Sequence, residues 1–117
     1  MYFRFENLEI WKLARKFTVD IYSLSKKFPK EEQFGLISQI RRAAVSVVLN
    51  IAEGVDRKSD KEFVRFLRMS MTSLEEVVAA LYIAIDQDFI KQEEFDYLYK
   101  SANILASKIN ALINKLL

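Results

Sequence analysis

The stretch FGLISQIRRAAVSVVLNIAEG, residues 34–54, decides the fold of this 117-residue chain. It begins as an amphipathic helix and becomes apolar on nearly all sides, because only Ser46 and Asn50 are polar between Ala43 and Ala52. A helix that is apolar on most sides is buried on most sides. We therefore predict that this second helix is covered by the rest of its own domain, by further copies of the chain, or by both.

The composition indicates one all-α domain. The chain is 51% hydrophobic and 29% charged, which is typical of a folded globular protein. Its two glycines and one proline are too few for an all-β fold, in which turns recur about every ten residues. At this length we expect a single domain, residues 1–117, with one hydrophobic core.

The apolar periodicity predicts four helices, at about residues 7–28, 32–54, 59–87 and 92–116. Asn7 is the predicted N-cap of the first helix, and Pro29 ends it. Gly54 is placed to end the second helix in a left-handed turn, and Ser59 with Glu62 reads as a capping box before the third. A regular alternation of three- and four-residue spacings in the fourth helix predicts left-handed packing. The expected architecture is an antiparallel, left-handed, up-down-up-down four-helix bundle.

Several classes of chemistry are excluded by the residue types that the chain lacks. It has no cysteine and no histidine, which rules out disulfides, thiolate nucleophiles, Cys/His zinc sites and histidine-dependent triads. It has no glycine-rich phosphate loop, and the adjacent Glu75 and Glu76 face different directions, so they make a poor carboxylate pair. We predict a protein that is not an enzyme and that holds no cofactor and no metal.

The distribution of charge bears on location and partners. The first residues carry a charge every few positions, unlike a signal peptide, and the uncharged runs are far shorter than the roughly 20 residues of a membrane helix. We expect a cytoplasmic protein with no membrane partner. The net charge is +2, but residues 1–74 carry 14 basic and 9 acidic groups, whereas residues 75–117 carry 4 and 7. This dipole either favours a polyanion at one end or is a mixed solvated surface.

The second helix carries two unusual strips outside its core face. One is a polar stripe formed by Gln39, Arg42, Ser46, Asn50 and Glu53. These residues either contact a ligand or nucleic acid, or form a hydrogen-bonded network that fixes the register of helices or subunits, and we favour the network. The other is an apolar strip formed by Val45, Val48, Leu49 and Ala52. This strip is either part of the core or a subunit interface. We predict the interface, because each helix of a bundle normally has one face outside the core, and a large apolar patch on such a face indicates association.

A basic face begins where the second helix ends. Lys61, Arg65 and Arg68 recur at i, i+4 and i+7 of the third helix, and Arg57 and Lys58 precede them. Regularly spaced cations on one helix face neutralise a phosphate backbone, although a solvated face with local ion pairs looks the same in sequence. Arg41 and Arg42 are predicted to extend this face.

The order of several segments resembles one protein family. They are FENLEIW at 5–11, FP at 28–29, FGL at 34–36, QIRRAAVS at 39–46, NIAEG at 50–54, Ser59, KEF at 61–63 and RFL at 65–67. The chain resembles the small bacterial four-helix-bundle proteins encoded by intervening sequences of 23S rRNA genes, loosely called ribosomal. Members of that family are similar to the accessory protein of diversity-generating retroelements.

The resemblance implies an up-down bundle that assembles as a ring-shaped homopentamer. It also implies a link to nucleic acid and to a nucleic-acid enzyme such as a reverse transcriptase. The chain departs from the family pattern at two places. Val48 and Leu49 stand where relatives usually have a proline and a small polar residue, which removes the usual cause of a kink, and Thr72 and Val78 replace a glycine and a glutamate.

These observations predict a non-enzymatic, homo-oligomeric helical bundle that binds RNA or DNA through basic helix faces. The alternative is a protein–protein assembly module with no nucleic-acid ligand. Salt-dependent binding distinguishes the first function, and a partner retained after nuclease treatment distinguishes the second.

Overall fold

Four long α-helices and two short 3₁₀ turns make up this computed structural model, which describes residues 2–117. The 3₁₀ turns span Arg4–Asn7 and Lys30–Glu32. The helices are α1 (Glu9–Ser25), α2 (Leu36–Val55), α3 (Asp60–Asp86) and α4 (Gln92–Leu116). No strand occurs among the described residues. The prediction of an all-α four-helix bundle is confirmed.

The helices enclose one core between them. α1 packs against α2 and α4, and α3 packs against the same two helices. The contacts between α2 and α3 run in opposite sequence order, because Gln39 bonds to Glu76 whereas Gly54 lies beside Phe66. Fully buried isoleucine, leucine and valine side chains from every helix fill the centre, among them Ile21, Ile40, Val47, Leu67, Leu81, Leu105 and Ile109. The predicted left-handed supercoil stays a prediction.

The start of α1 differs from the expectation. Asn7 does not cap it, because Asn7 belongs to the first 3₁₀ turn, and the N-cap is Leu8 without a side-chain hydrogen bond. The helix also ends at Ser25, before the predicted Phe28, although the Phe28 side chain remains buried. Apolar periodicity marks buried residues whether they belong to the helix or to the chain that follows it. It therefore predicts a longer helix than the one observed.

The role predicted for Gly54 is wrong. It lies inside α2, and neither glycine has a positive φ. A Cβ on Gly54 would lie 2.7 Å from the Cβ of Phe66 and 3.0 Å from Cδ1 of Phe63. Glycine is therefore required here by the close approach of α3 rather than by a left-handed turn.

The left-handed residue of the described chain is instead Asp88, with φ 59°, just after α3. The Phe89 N–H donates to the Ala84 carbonyl at 2.9 Å, and the Asp88 N–H donates to the Ile85 carbonyl at 3.1 Å. These two bonds are the Schellman motif that satisfies the last carbonyls of a helix. The turn sends the chain directly into α4. Within residues 2–117, none of the helices combines the length and the apolar character needed to cross a bilayer.

Candidate nucleic-acid interface

Five cations gather where α2 passes into α3. Arg57 and Lys58 lie in the turn between the helices, and Lys61, Arg65 and Arg68 follow on one face of α3. All five side chains are exposed. We call these five residues the basic corner. The Ser59 hydroxyl accepts a hydrogen bond from the Glu62 N–H at 3.2 Å, so the predicted N-cap fixes the start of α3 inside this cluster.

Two members of the basic corner are held in place by neighbours. Arg57 pairs with Glu53 at 2.6 Å, and Arg65 pairs with Glu62 at 3.2 Å. Both guanidinium groups lie over the ring of Phe66, at 4.7 and 4.8 Å from its centroid. The hydrogen bond from Arg65 lowers the pKa of the Glu62 carboxyl, because it favours the charged form. Exposed pairs of this kind are weak, and a phosphate can replace the carboxylate.

The other three members, Lys58, Lys61 and Arg68, have no ion pair within residues 2–117. The charge of α3 is strongly graded, because the second half of this helix carries Glu75, Glu76 and Asp86 but no lysine or arginine. An anion approaching α3 is therefore drawn toward its N-terminal end, where the helix dipole is also positive.

The predicted extension of this basic face to Arg41 and Arg42 stays a prediction. Arg42 precedes Arg57 by fifteen residues, which is about 22 Å along a helix. Arg41 is half-buried against the end of α1, where its Nε donates to the Ser25 Oγ at 2.7 Å and its guanidinium lies 4.7 Å from the ring centroid of Tyr22. Arg42 is exposed and makes no hydrogen bond or ion pair in the described chain. The adjacent arginines thus have different roles.

We expect Arg41→Ala to lower the free energy of unfolding by about 2 kcal/mol, because it removes a hydrogen bond to a fully buried hydroxyl together with the packing on Tyr22. Arg42→Ala is the matched control and should change it by less than about 0.5 kcal/mol. Urea unfolding followed by circular dichroism measures both. Equal effects of the two substitutions would contradict this assignment.

The polar stripe of α2 faces α3. The hydroxyls of Ser46 and Ser73 hydrogen-bond at 2.8 Å, and the Asn50 amide donates to the carbonyl and the hydroxyl of Ser46 at 2.9 and 3.0 Å. The Gln39 amide donates to Glu76 at one end, and Glu53 pairs with Arg57 at the other. The structure thus gives partners to every member of the stripe except Arg42. The bonds of Ser46 and Gln39 join α2 to α3, whereas those of Asn50 and Glu53 connect residues one turn apart in the chain.

The apolar strip of α2 lies mostly outside the core, although its member Val48 packs against the core. The Ala44 carbonyl accepts a hydrogen bond from Thr18 of α1, and Ser46 contacts α3, so Val45 between them points outward. Leu49 follows one turn later and is 60% exposed. Val45, Val48 and Ala52 are half-buried. The bundle therefore leaves an apolar surface on the outer side of α2.

Comparison with known proteins places this chain in a family. The family described as 23S rRNA-intervening sequence protein matches residues 6–111. The chain belongs to this family. The resemblance found in the sequence is therefore confirmed. No curated protein sequence matches the chain at a significant level.

A solved structure supports the fold of this 23S rRNA-intervening sequence protein. It is the crystal structure of a protein with unknown function from the S23 ribosomal protein family of Bacteroides thetaiotaomicron VPI-5482. The two chains superpose with a TM-score of 0.82 and 21% sequence identity, over 89% of this chain and 97% of that one. At this identity the likeness shows the fold alone.

In this member of the family, α2 is one continuous helix through Val48 and Leu49.

Among residues 2–117, no group of three or more acidic side chains is arranged to hold a metal ion. The groove between α1 and α4 contains Asp20, Lys27 and Glu94, but these charges are already used in ion pairs with Lys16 and with each other. The sequence reasoning passed over one exposed surface, the aromatic residues around the first 3₁₀ turn, whose signal is the run YFRF at residues 2–5.

Proposed function

We propose that this chain is a cytoplasmic, non-enzymatic protein that self-associates and binds RNA or DNA through the basic corner. The observation that supports it is the set of three exposed cations without ion-pair partners: Lys58 in the turn before α3, and Lys61 and Arg68 in the N-terminal part of that helix. Cations in this arrangement contact phosphates and release counterions, which is the main source of sequence-independent affinity.

Recognition through the basic corner depends on charge and shape rather than on base sequence. The corner offers lysine and arginine, which suit phosphate oxygens. Its net charge is limited by four acidic neighbours, Glu53, Asp56, Asp60 and Glu62. A single corner therefore binds weakly. Several corners on one assembly raise the overall affinity, because each later contact is intramolecular. A homopentamer, as the family resemblance implies, would supply five corners, and a nucleic-acid enzyme such as a reverse transcriptase is the partner class that we propose.

The proposal predicts that Lys58→Ala, Lys61→Ala and Arg68→Ala together weaken binding of a structured RNA or a DNA duplex by roughly tenfold or more at low salt. Fluorescence anisotropy with a labelled hairpin RNA and a labelled duplex measures the effect. The matched control replaces Lys26, Lys30 and Lys100, which are also exposed and carry no ion pair in the described chain. Both triple variants lose the same charge, so an equal loss of affinity would contradict a localised site.

A second function is favoured by a different observation, the outward apolar strip with Leu49 at 60% exposure. In this function the bundle is an assembly module that docks other proteins and binds no nucleic acid. A partner protein would then remain bound after nuclease treatment, and the triple variant of the basic corner would retain that partner. Loss of the partner on nuclease treatment would exclude this alternative.

A further inference from the structure

The first 3₁₀ turn carries an aromatic surface that has no part in the core or in the basic corner. Tyr2 is 89% exposed and Phe3 is 54% exposed. Phe5 and Trp11 lie half-buried beneath them. We call these four residues the aromatic platform. Burial of an aromatic ring gives a large favourable free energy, and exposed rings do not obtain it. Two adjacent exposed rings therefore point to a ligand-binding surface.

The rings of the platform contact one another in series from the surface to α1. Tyr2 meets Phe3 edge-on, with centroids 4.8 Å apart and an interplanar angle of 83°. Phe3 is stacked on Phe5 at 5.9 Å and 20°, and Phe5 packs on Trp11 at 4.8 Å. The outer rings therefore rest on inner rings that are anchored in the fold.

The backbone of the turn is also fixed. The Phe3 N–H donates to the Glu6 carboxylate at 2.9 Å, and the Glu6 N–H donates to the Phe3 carbonyl at 3.1 Å. These reciprocal bonds close the turn, which packs against both α1 and α2. The platform is thus organised before any ligand binds, which lowers the entropic cost of binding.

Cations adjoin the platform on two sides. The Arg15 guanidinium lies 5.6 Å from the Trp11 ring centroid. Arg4, which follows Phe3 in the chain, lies 3.9 Å from Asp56, the residue before Arg57 of the basic corner. The platform and the basic corner are therefore neighbouring parts of one surface. Aromatic faces beside cations suit nucleobases joined by phosphates better than they suit an apolar protein segment.

We propose that the aromatic platform stacks an unpaired nucleobase of the same nucleic acid whose phosphates contact the basic corner. This inference rests on the proposed function and specifies its ligand, a single-stranded stretch next to a duplex. Every base has a π-face, so stacking on Tyr2 and Phe3 is tolerant of sequence. Such stacking favours loops and overhangs over blunt duplexes, a difference that a purely electrostatic site would not produce.

The test compares a blunt DNA duplex with the same duplex carrying a thymidine overhang, and repeats both with RNA and a uridine overhang. Wild-type protein should bind the overhang roughly tenfold more tightly than the blunt end. The double variant Tyr2→Leu and Phe3→Leu keeps apolar side chains without π-faces. It should bind the overhang probe no more tightly than the blunt duplex. Tyr82→Leu, which replaces an aromatic residue of 49% exposure on α3, is the control and should keep the preference.

Trp11 provides a second readout, because it is the only tryptophan of the chain. Its fluorescence should be quenched by the overhang probe and not by the blunt probe, and the double leucine variant should lose this difference. If only the DNA probes or only the RNA probes show tighter binding of the overhang, the result supports the platform and identifies that nucleic acid as the ligand.

Failure of the platform and failure of the proposed function give different results. Equal binding of blunt and overhang probes, together with weaker binding by the basic-corner variant, would overturn the platform alone. No binding of any probe at low salt would overturn both. A change in the mass of the double leucine variant, without any change in overhang affinity, would show that the rings contact another copy of the chain and would also overturn the platform.

Discussion

Gly54→Val is expected to lower the free energy of unfolding by roughly 3 kcal/mol. The reason is the distance of 2.7 Å between a Cβ at this position and the Cβ of Phe66, which is part of a neighbouring helix and cannot rotate away. The added Cβ would also lie 3.0 Å from Cδ1 of Phe63, so a small shift of the valine side chain does not relieve the first clash. The helices must separate or bend, and both movements disturb the core between them. Urea unfolding followed by circular dichroism measures the loss.

The sign of this effect distinguishes packing from helix propensity. In an isolated helix, valine is slightly better than glycine and alanine is better by about 1 kcal/mol. If Gly54 lay inside α2 with open space around it, both substitutions would be neutral or stabilising. Gly54→Ala should instead destabilise by about 1–2 kcal/mol, because the added methyl group already clashes. Ala79→Val, at an exposed position of α3, is the control for β-branching and should cost less than about 1 kcal/mol.

Leu49→Glu is expected to dissociate the proposed homo-oligomer into single chains of 13.7 kDa. Leu49 is the most exposed member of the apolar strip, and a carboxylate buried at a subunit contact without a partner costs several kcal/mol. Light scattering after gel filtration measures the mass. The wild type should give an integral multiple of the mass of one chain, and a homopentamer gives five times that mass.

The control for this substitution is Val19→Glu. Val19 is 56% exposed and belongs to α1, so it matches Leu49 in exposure but lies outside the apolar strip. It should leave the mass unchanged. A monomeric wild type, or dissociation by both variants alike, would remove the apolar strip as an interface.

Much of the fold was accessible from the sequence because its signals are local. The scarcity of glycine and proline and the regular apolar spacing identify four helices, and Ser59 marks the start of α3 through a bond to a residue three positions away. These features depend on short stretches of chain. They therefore appear in the sequence without knowledge of which helices are neighbours.

Features that depend on a second helix were predicted less well. Gly54 has the position of a helix end in the sequence, and only the location of Phe66 shows that it allows close packing. Asn7 is a good N-cap by residue type, but the bonds between Phe3 and Glu6 draw it into a separate turn. For Gly54 a tertiary contact outweighs the local preference, and for Asn7 a competing local turn does so.

The candidate site was likewise predicted where its signals are local and missed where they depend on another part of the fold. The spacing of Lys61, Arg65 and Arg68 was sufficient to place them on one face. The sequence could not distinguish Arg41 from Arg42, because the partner of Arg41 is Ser25 in another helix. Nor could it show that Tyr2 and Phe3 stay exposed, since aromatic residues next to an amphipathic helix usually join the core.

The central claim, that the basic corner neutralises phosphates, is tested most directly by the salt dependence of binding to a DNA duplex. The logarithm of the association constant should fall linearly with the logarithm of salt concentration, with a slope of about −0.9 per phosphate contacted. Removing the cations of Lys58, Lys61 and Arg68 should make that slope shallower by about 2 to 3 for each corner in contact with the duplex, while the Lys26, Lys30 and Lys100 control keeps the wild-type slope. An unchanged slope in the basic-corner variant, or a wild-type affinity that does not respond to salt, would contradict the claim.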